Sequence, residues 1–305
     1  MVSLRINRLK ERKVDTTETV DITETADITE TADITEIVDI TEAAKLSLKI
    51  SEHVKNIKTK GYAVLENVID TNECILISEK LDNLEKIQEH EVGLKKLQKI
   101  NEVGILRALI EKDQYFENLI LNPYVFKIIS LLIRDTAILH LQNGVILYPD
   151  QIHGQGHFHR DITFMNFVSD KIFSLSALWV IDDFNEESGG TVMVPFTHKK
   201  SEWPSEKDIE RNSIHINAKA GSVIIFDSML IHKGGMNKGE RKRRAINHMY
   251  TRPFIKQQID FTSLMKGRFD LESKISQVLG FWSIPPKSVS EYRSDPEKRT
   301  YRNNQ

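Results

Sequence analysis

The sequence predicts a mainly β fold with flanking helices, a sandwich or barrel backed by a helical layer. Two features carry that expectation. Up to about residue 133 apolar residues recur at helical spacing, whereas from residue 137 they gather in seven or eight short runs punctuated by Gly, Pro and Asp. Size agrees, because 305 residues with 40% hydrophobic content suffice for one enzyme-sized domain with a sizeable core.

Residues 14–44 repeat the hexapeptide (Val/Ala)-Asp-Ile-Thr-Glu-Thr, with aspartates at 15, 21, 27, 33 and 39. A period of six matches neither a heptad nor a helical stripe, so residues 1–44 are expected to be a disordered acidic tail and residues 45–305 the folded domain. From Ala44 the spacing predicts a helix that stops at Gly61, followed by a strand in "YAVLENVI". Asp70 with Glu73 three residues on predicts a capping-box start for a helix carrying Ile75, Ile77, Leu81 and Leu84 on one face. "NPYVFKIISLLI" predicts a further buried helix. The strands then fall in "AILHLQNGVIL", "HFHRDI", "FSLSALWVI", "TVMVP", "SIHI", "GSVIIF" and "RRAINHMYTRP".

Charge and cysteine content narrow the chemistry. A net charge of −2, from 42 basic and 44 acidic residues, leaves no footprint for nucleic acid or an anionic membrane. A small-molecule substrate is the expected partner. The single cysteine, Cys74, excludes an intrachain disulfide or a thiolate zinc cluster, so histidines and carboxylates must supply any metal ligands. No run approaches the roughly 18 continuous apolar residues of a membrane span, and a cytoplasmic location is expected.

Those ligands are concentrated in "HGQGHFHRDIT". In an extended segment His157, His159 and Asp161 share one face and Phe158, Arg160 and Ile162 the other. A His-x-Asp pair with a distant histidine makes the two-histidine, one-carboxylate arrangement that holds Fe(II) and leaves positions open. His232, just ahead of a Gly-Gly loop, is the candidate third ligand. Arg243 follows eleven residues later on a strand whose small Ala245 shares its face, a place where a guanidinium could grip a dicarboxylate. Arg244 is its rival.

"HRD", "GSVIIFDSMLIHKGGMN" and "RRAI" resemble the phytanoyl-CoA dioxygenase family of Fe(II)/2-oxoglutarate oxygenases, which includes ectoine hydroxylase; "ALWVIDDFNEESGGTVMVPFTHK", "GYAVLENVID" and "NPYVFKII" are similar as well. The resemblance covers about residues 45 to 285. It implies a double-stranded β-helix, a cupin-like jelly roll, with Fe(II), 2-oxoglutarate and O2 as cofactor and cosubstrates. By that resemblance His159, Asp161 and His232 are the iron ligands and catalytic centre, and Arg243 binds the distal carboxylate of 2-oxoglutarate. Gln142 and Trp179 match positions that line the cosubstrate pocket. Asp161 implies hydroxylation, with desaturation or ring closure as variants, because halogenating relatives carry a small residue there. Phe196 departs from the family, which usually has glycine before the Thr-His pair. His157, Asn166 and Arg252 are candidate contacts for a small polar or carboxylated substrate. Two rival readings stand beside this one. One is a metallo-hydrolase using His157, His159 and Asp161, although Ile162 stands where its motif needs histidine. The other is a non-catalytic cupin-like binding protein.

Overall fold

The backbone changes character at Gly61, whose φ of 96° ends a long helix and opens the first strand. A Cβ there would lie 2.6 Å from Leu230 Cδ1 and 2.8 Å from His198 Nδ1, so both conformation and space demand glycine. The computed structural model describes residues 26–151, 156–162 and 169–299. Helix α1 (Ala26–Lys60) precedes Gly61. With no glycine or proline earlier in the chain nothing interrupts it, and it starts before the expected Ala44, so the later repeats are helical. The rest of the expected disordered tail, residues 1–25, lies outside the described residues. The chain divides into two compact units, Met1–Lys49 and Ile50–Gln305.

Strand β1 (Tyr62–Leu65) leads to α2 (Thr71–Val92), which begins at the predicted cap: Asp70 accepts the Glu73 N–H at 2.8 Å. The Glu73 carboxylate does not complete a capping box but accepts the Tyr115 hydroxyl at 3.0 Å. Ile77, Leu81 and Leu84 are buried as expected, together with Cys74. Ile75 is 53% exposed, because residues two apart on a helix point to different faces. Then come α3 (Leu94–Lys99), β2 (Ile105–Arg107), α4 (Leu109–Lys112), α5 (Glu117–Ile120) and α6 (Pro123–Ile133). Asn122 caps α6 by accepting the Tyr124 and Val125 N–H groups at 3.2 Å, with Pro123 at the first helical position.

The remaining strands are β3 (Ile138–Leu147), β4 (Ser174–Val180), β5 (Val192–Val194), β6 (Ile214–His215), β7 (Val223–Asp227), β8 (Ile231–Lys233) and β9 (Arg243–Thr251). They form two antiparallel sheets, a large one in the order β1-β7-β4-β9-β3-β2 and a small one in the order β6-β5-β8. Alternation gives the large sheet two apolar faces. Trp179, Ile225, Ile246 and Leu139 join Leu81, Phe116 and Ile128 in the core shared with the helices. Val180, Ile224, Phe226 and Ala245 pack with Met193 and Leu230 of the small-sheet side. That second face holds the site.

Among the described residues no single helix is long and apolar enough to cross a membrane; one bent pair, Gln114–Ile120 and Pro123–Ile133, passes on length and composition. Its Phe116, Leu119, Ile120, Val125, Ile128 and Ile129 are buried in the core, which accounts for their hydrophobicity.

Candidate metal centre

The expected strand over residues 157–162 reduces to a single bridge. His159 and His232 exchange both backbone hydrogen bonds, at 2.9 and 3.0 Å, which sets their rings side by side with centroids 4.4 Å apart. The Asp161 N–H donates to the Ser228 carbonyl at 2.9 Å and turns its side chain to the same place. Asp161 Oδ1 then lies 3.6 Å from His159 Nε2 and 3.4 Å from His232 Nε2. All three donor atoms lie within 4.8 Å of one another, close enough to share a single ion.

Each donor is oriented from behind. His159 Nδ1 bonds the His157 carbonyl and His232 Nδ1 the Leu230 carbonyl, both at 2.9 Å. A carbonyl only accepts, so both Nδ1 atoms carry a hydrogen, and Nε2 is the ring atom that each histidine turns to Asp161. The Ser176 hydroxyl donates to Asp161 Oδ2 at 2.7 Å, leaving Oδ1 for the cluster. Burial alone would raise the Asp161 carboxyl, but the His232 charge and the hydrogen bonds from His159, His232 and Ser176 hold it well below the usual range. For His232 burial acts downward, and the charge and hydrogen bond of Asp161 turn the net shift upward. With one lone pair each from His159 and His232 and one carboxylate oxygen, the donor set fits a non-haem ferrous ion.

A cavity of about 320 Å³ opens from the trio toward β3 and β9, where Leu141, Asn143, Val145, Arg243, Ala245 and Asn247 line it. Arg243 is 5% exposed, donates from Nη2 to the Gly189 carbonyl at 2.8 Å, and lies over the Phe184 ring at 4.4 Å. Its Nε has no partner, and burial pushes its pKa down to about 10, still a cation at neutral pH. A buried cation with an orphaned donor is complementary to an anion. Arg244 points to the other face, bonding Asp82 from Nε and Nη2 at 2.8 and 2.9 Å and Asp182 from Nη1 at 2.8 Å.

Several expected site residues stand elsewhere. Gln142 and Trp179 occupy the helix-facing side of the large sheet. Gln142 accepts the Ile110 N–H at 2.8 Å and meets His248 Nε2 at 3.1 Å, while Trp179 is buried beside the same histidine. The strand parity that sends Asn143 and Leu178 into the cavity sends Gln142 and Trp179 out of it. His157 is exposed and contributes its carbonyl, so the hydrolase trio of His157, His159 and Asp161 does not assemble. Arg252 follows the last residue of β9, half-buried, and does not line the cavity. Asn166 lies outside the described residues.

Sequence reasoning missed Ser176, Asn143, Asn247 and Arg160. Parity with Arg243 would have found Asn247. Arg160, 5% exposed, ties the ligand segment down by donating to the Lys200 carbonyl at 2.5 Å and stacking over Trp203 at 5.7 Å. Nothing local in the sequence marks Ser176 or Arg160. Phe196 sits at φ 66°, the left-handed region that glycine favours. Its neighbour Thr197 anchors β8, accepting the Ile231 N–H at 3.0 Å and donating to the Val194 carbonyl at 2.7 Å.

The sequence profile of the phytanoyl-CoA dioxygenase (PhyH) family matches residues 57–245. The uncharacterized protein Rv1501 of Mycobacterium tuberculosis is 37% identical over 257 residues, covering 80% of this chain and 92% of that protein. Among solved structures, the non-haem α-ketoglutarate-dependent epimerase SnoN from nogalamycin biosynthesis aligns with a TM-score of 0.52 at 13% identity, over 67% of this chain and 84% of that one. The non-haem monooxygenase ThoJ, as its nickel complex, aligns with a TM-score of 0.55 at 12% identity, over 68% and 80%. At these identities the structural likeness speaks for the fold. Motif, sheet arrangement and profile converge: the chain belongs to the phytanoyl-CoA dioxygenase family and has the double-stranded β-helix fold of the non-haem iron, 2-oxoglutarate-dependent oxygenases.

Proposed function

We propose that the protein is an Fe(II)- and 2-oxoglutarate-dependent dioxygenase that hydroxylates an unactivated C–H bond of a small molecule. One observation carries the reading: Asp161 Oδ1 and the Nε2 atoms of His159 and His232 converge on a cavity that is also lined by Arg243, a buried guanidinium whose Nε has no partner. His159, Asp161 and His232 hold the metal. Arg243 grips the distal carboxylate of 2-oxoglutarate, its charge made effective by burial. Iron with 2-oxoglutarate and O2 supplies the oxidation, one oxygen atom going to the substrate and the other to succinate as CO2 is lost. Ser176 keeps Asp161 from turning away.

The test is turnover under ¹⁸O2 with Fe(II) and 2-oxoglutarate. Succinate carrying one ¹⁸O, and none formed by Asp161→Ala, is the expected result. Metal-dependent activity that persists without O2 would transfer the site to hydrolysis.

A further inference from the structure

The cavity contains a polar row in addition to the metal ligands and Arg243. Arg107 of β2, Asn143 of β3 and Asn247 of β9 are consecutive cross-strand partners, and all three line the cavity. The row continues to Leu178 of β4, two residues from the Ser176 that holds Asp161, so it runs from the sheet edge toward the metal ligands. Asn143 Oδ1 and Asn247 Oδ1 are buried without a hydrogen-bond partner; neither amide satisfies the other's oxygen. Arg243 lies four residues before Asn247 on the same strand, about 13 Å away along an extended chain. Along β9 the amides are thus displaced from Arg243 toward the level of Ser176 and Asp161.

The chemistry of the row is specific. Each amide offers a carbonyl and an NH2, and whichever way each is turned the complementary group both donates and accepts, which is a hydroxyl. Side chains directly opposite on antiparallel strands have Cβ atoms about 4.5–5.5 Å apart, a span that matches hydroxyls on adjacent or alternate carbons. Charge is neutralised at the rim, since Glu102 accepts from Arg107 Nε and Nη2 at 3.0 and 2.8 Å. Leu141, Val145 and Leu178 supply an apolar wall for the carbon skeleton. Resting on the dioxygenase reading above, we infer that the substrate is a neutral polyhydroxylated molecule, carbohydrate- or cyclitol-like, held by two neighbouring hydroxyls on Asn143 and Asn247.

The experiment measures succinate release by the iron-loaded full chain with millimolar monosaccharides, methyl glycosides and cyclitols, against fatty acyl-CoA esters and free amino acids. At least one polyol is expected to accelerate release. Asn143→Leu and Asn247→Leu are each expected to raise its KM about tenfold or more, one lost buried hydrogen-bond pairing, while the Kd for 2-oxoglutarate changes less than about twofold. Asn143→Ser and Asn247→Ser carry the same expectation where a leucine variant does not fold. Acceleration by acyl-CoA or amino acids alone, no acceleration by any polyol, or a polyol KM indifferent to both positions overturns the inference. Failure of Fe(II) and 2-oxoglutarate to form their visible charge-transfer complex would instead overturn the dioxygenase reading beneath it.

Discussion

Asp161 divides its two oxygens between tasks: Oδ2 accepts from Ser176 and Oδ1 faces the histidines. His159→Ala, Asp161→Ala and His232→Ala are each expected to abolish iron-dependent turnover. Ser176→Ala should retain the ligands yet weaken Fe(II) affinity about 10- to 100-fold, measurable by competition with a chelator, because an outer partner orients a ligand without replacing it. The adjacent arginines give an opposed pair. Arg243→Ala should raise the KM for 2-oxoglutarate about tenfold or more with little change in stability. Arg244→Ala should leave that KM alone and lower stability by about 1–3 kcal/mol, since its ion pairs with Asp82 and Asp182 are only partly screened. A larger cosubstrate defect in Arg244→Ala would contradict these roles. The distinction between the two arginines was legible in the sequence, because neighbours on a strand face opposite ways. The facing of Gln142 was not, because it depends on pairing with His248, a register that no single strand encodes.

Among elements, the turns around β8 are informative. Phe196 holds a left-handed backbone where it is 56% exposed, so Phe196→Gly should stabilise the protein by about 1 kcal/mol, read from the urea midpoint. A loss of stability would mean that the ring contributes more than the backbone conformation costs. In the β7–β8 turn, Asp227 accepts the Met229 N–H at 2.9 Å, and burial pushes its pKa up to about 7. Between about pH 4 and that value the folded chain keeps a proton that the unfolded chain has released, so stability falls as pH rises across the window. Asp227→Asn should flatten this slope and be the more stable protein above about pH 7, the two converging below about pH 4. The segment at 157–162 shows what alternation can and cannot say. His159 and Asp161 do reach one point, yet without a strand the same rule misplaces His157.

At the scale of the molecule, the change from helical to strand periodicity near residue 135 announced the helical layer and the β core, because each is a local pattern. Strand β2 escaped, its three residues lying between helices and drawing their meaning from pairing with β3. It carries Arg107, and with it one end of the polar row. The repeat segment is proposed to lie outside the catalytic unit. Removal of residues 1–44 is expected to leave turnover unchanged; a loss would assign the segment a part in the site.

The central claim, that His159, Asp161 and His232 hold iron beside a 2-oxoglutarate site closed by Arg243, is tested most directly by anaerobic titration of the metal-free protein with Fe(II) and then 2-oxoglutarate. A visible charge-transfer band that saturates at one equivalent, is absent in His232→Ala and requires more 2-oxoglutarate in Arg243→Ala is the predicted result. No band despite tight binding of a divalent metal would contradict it.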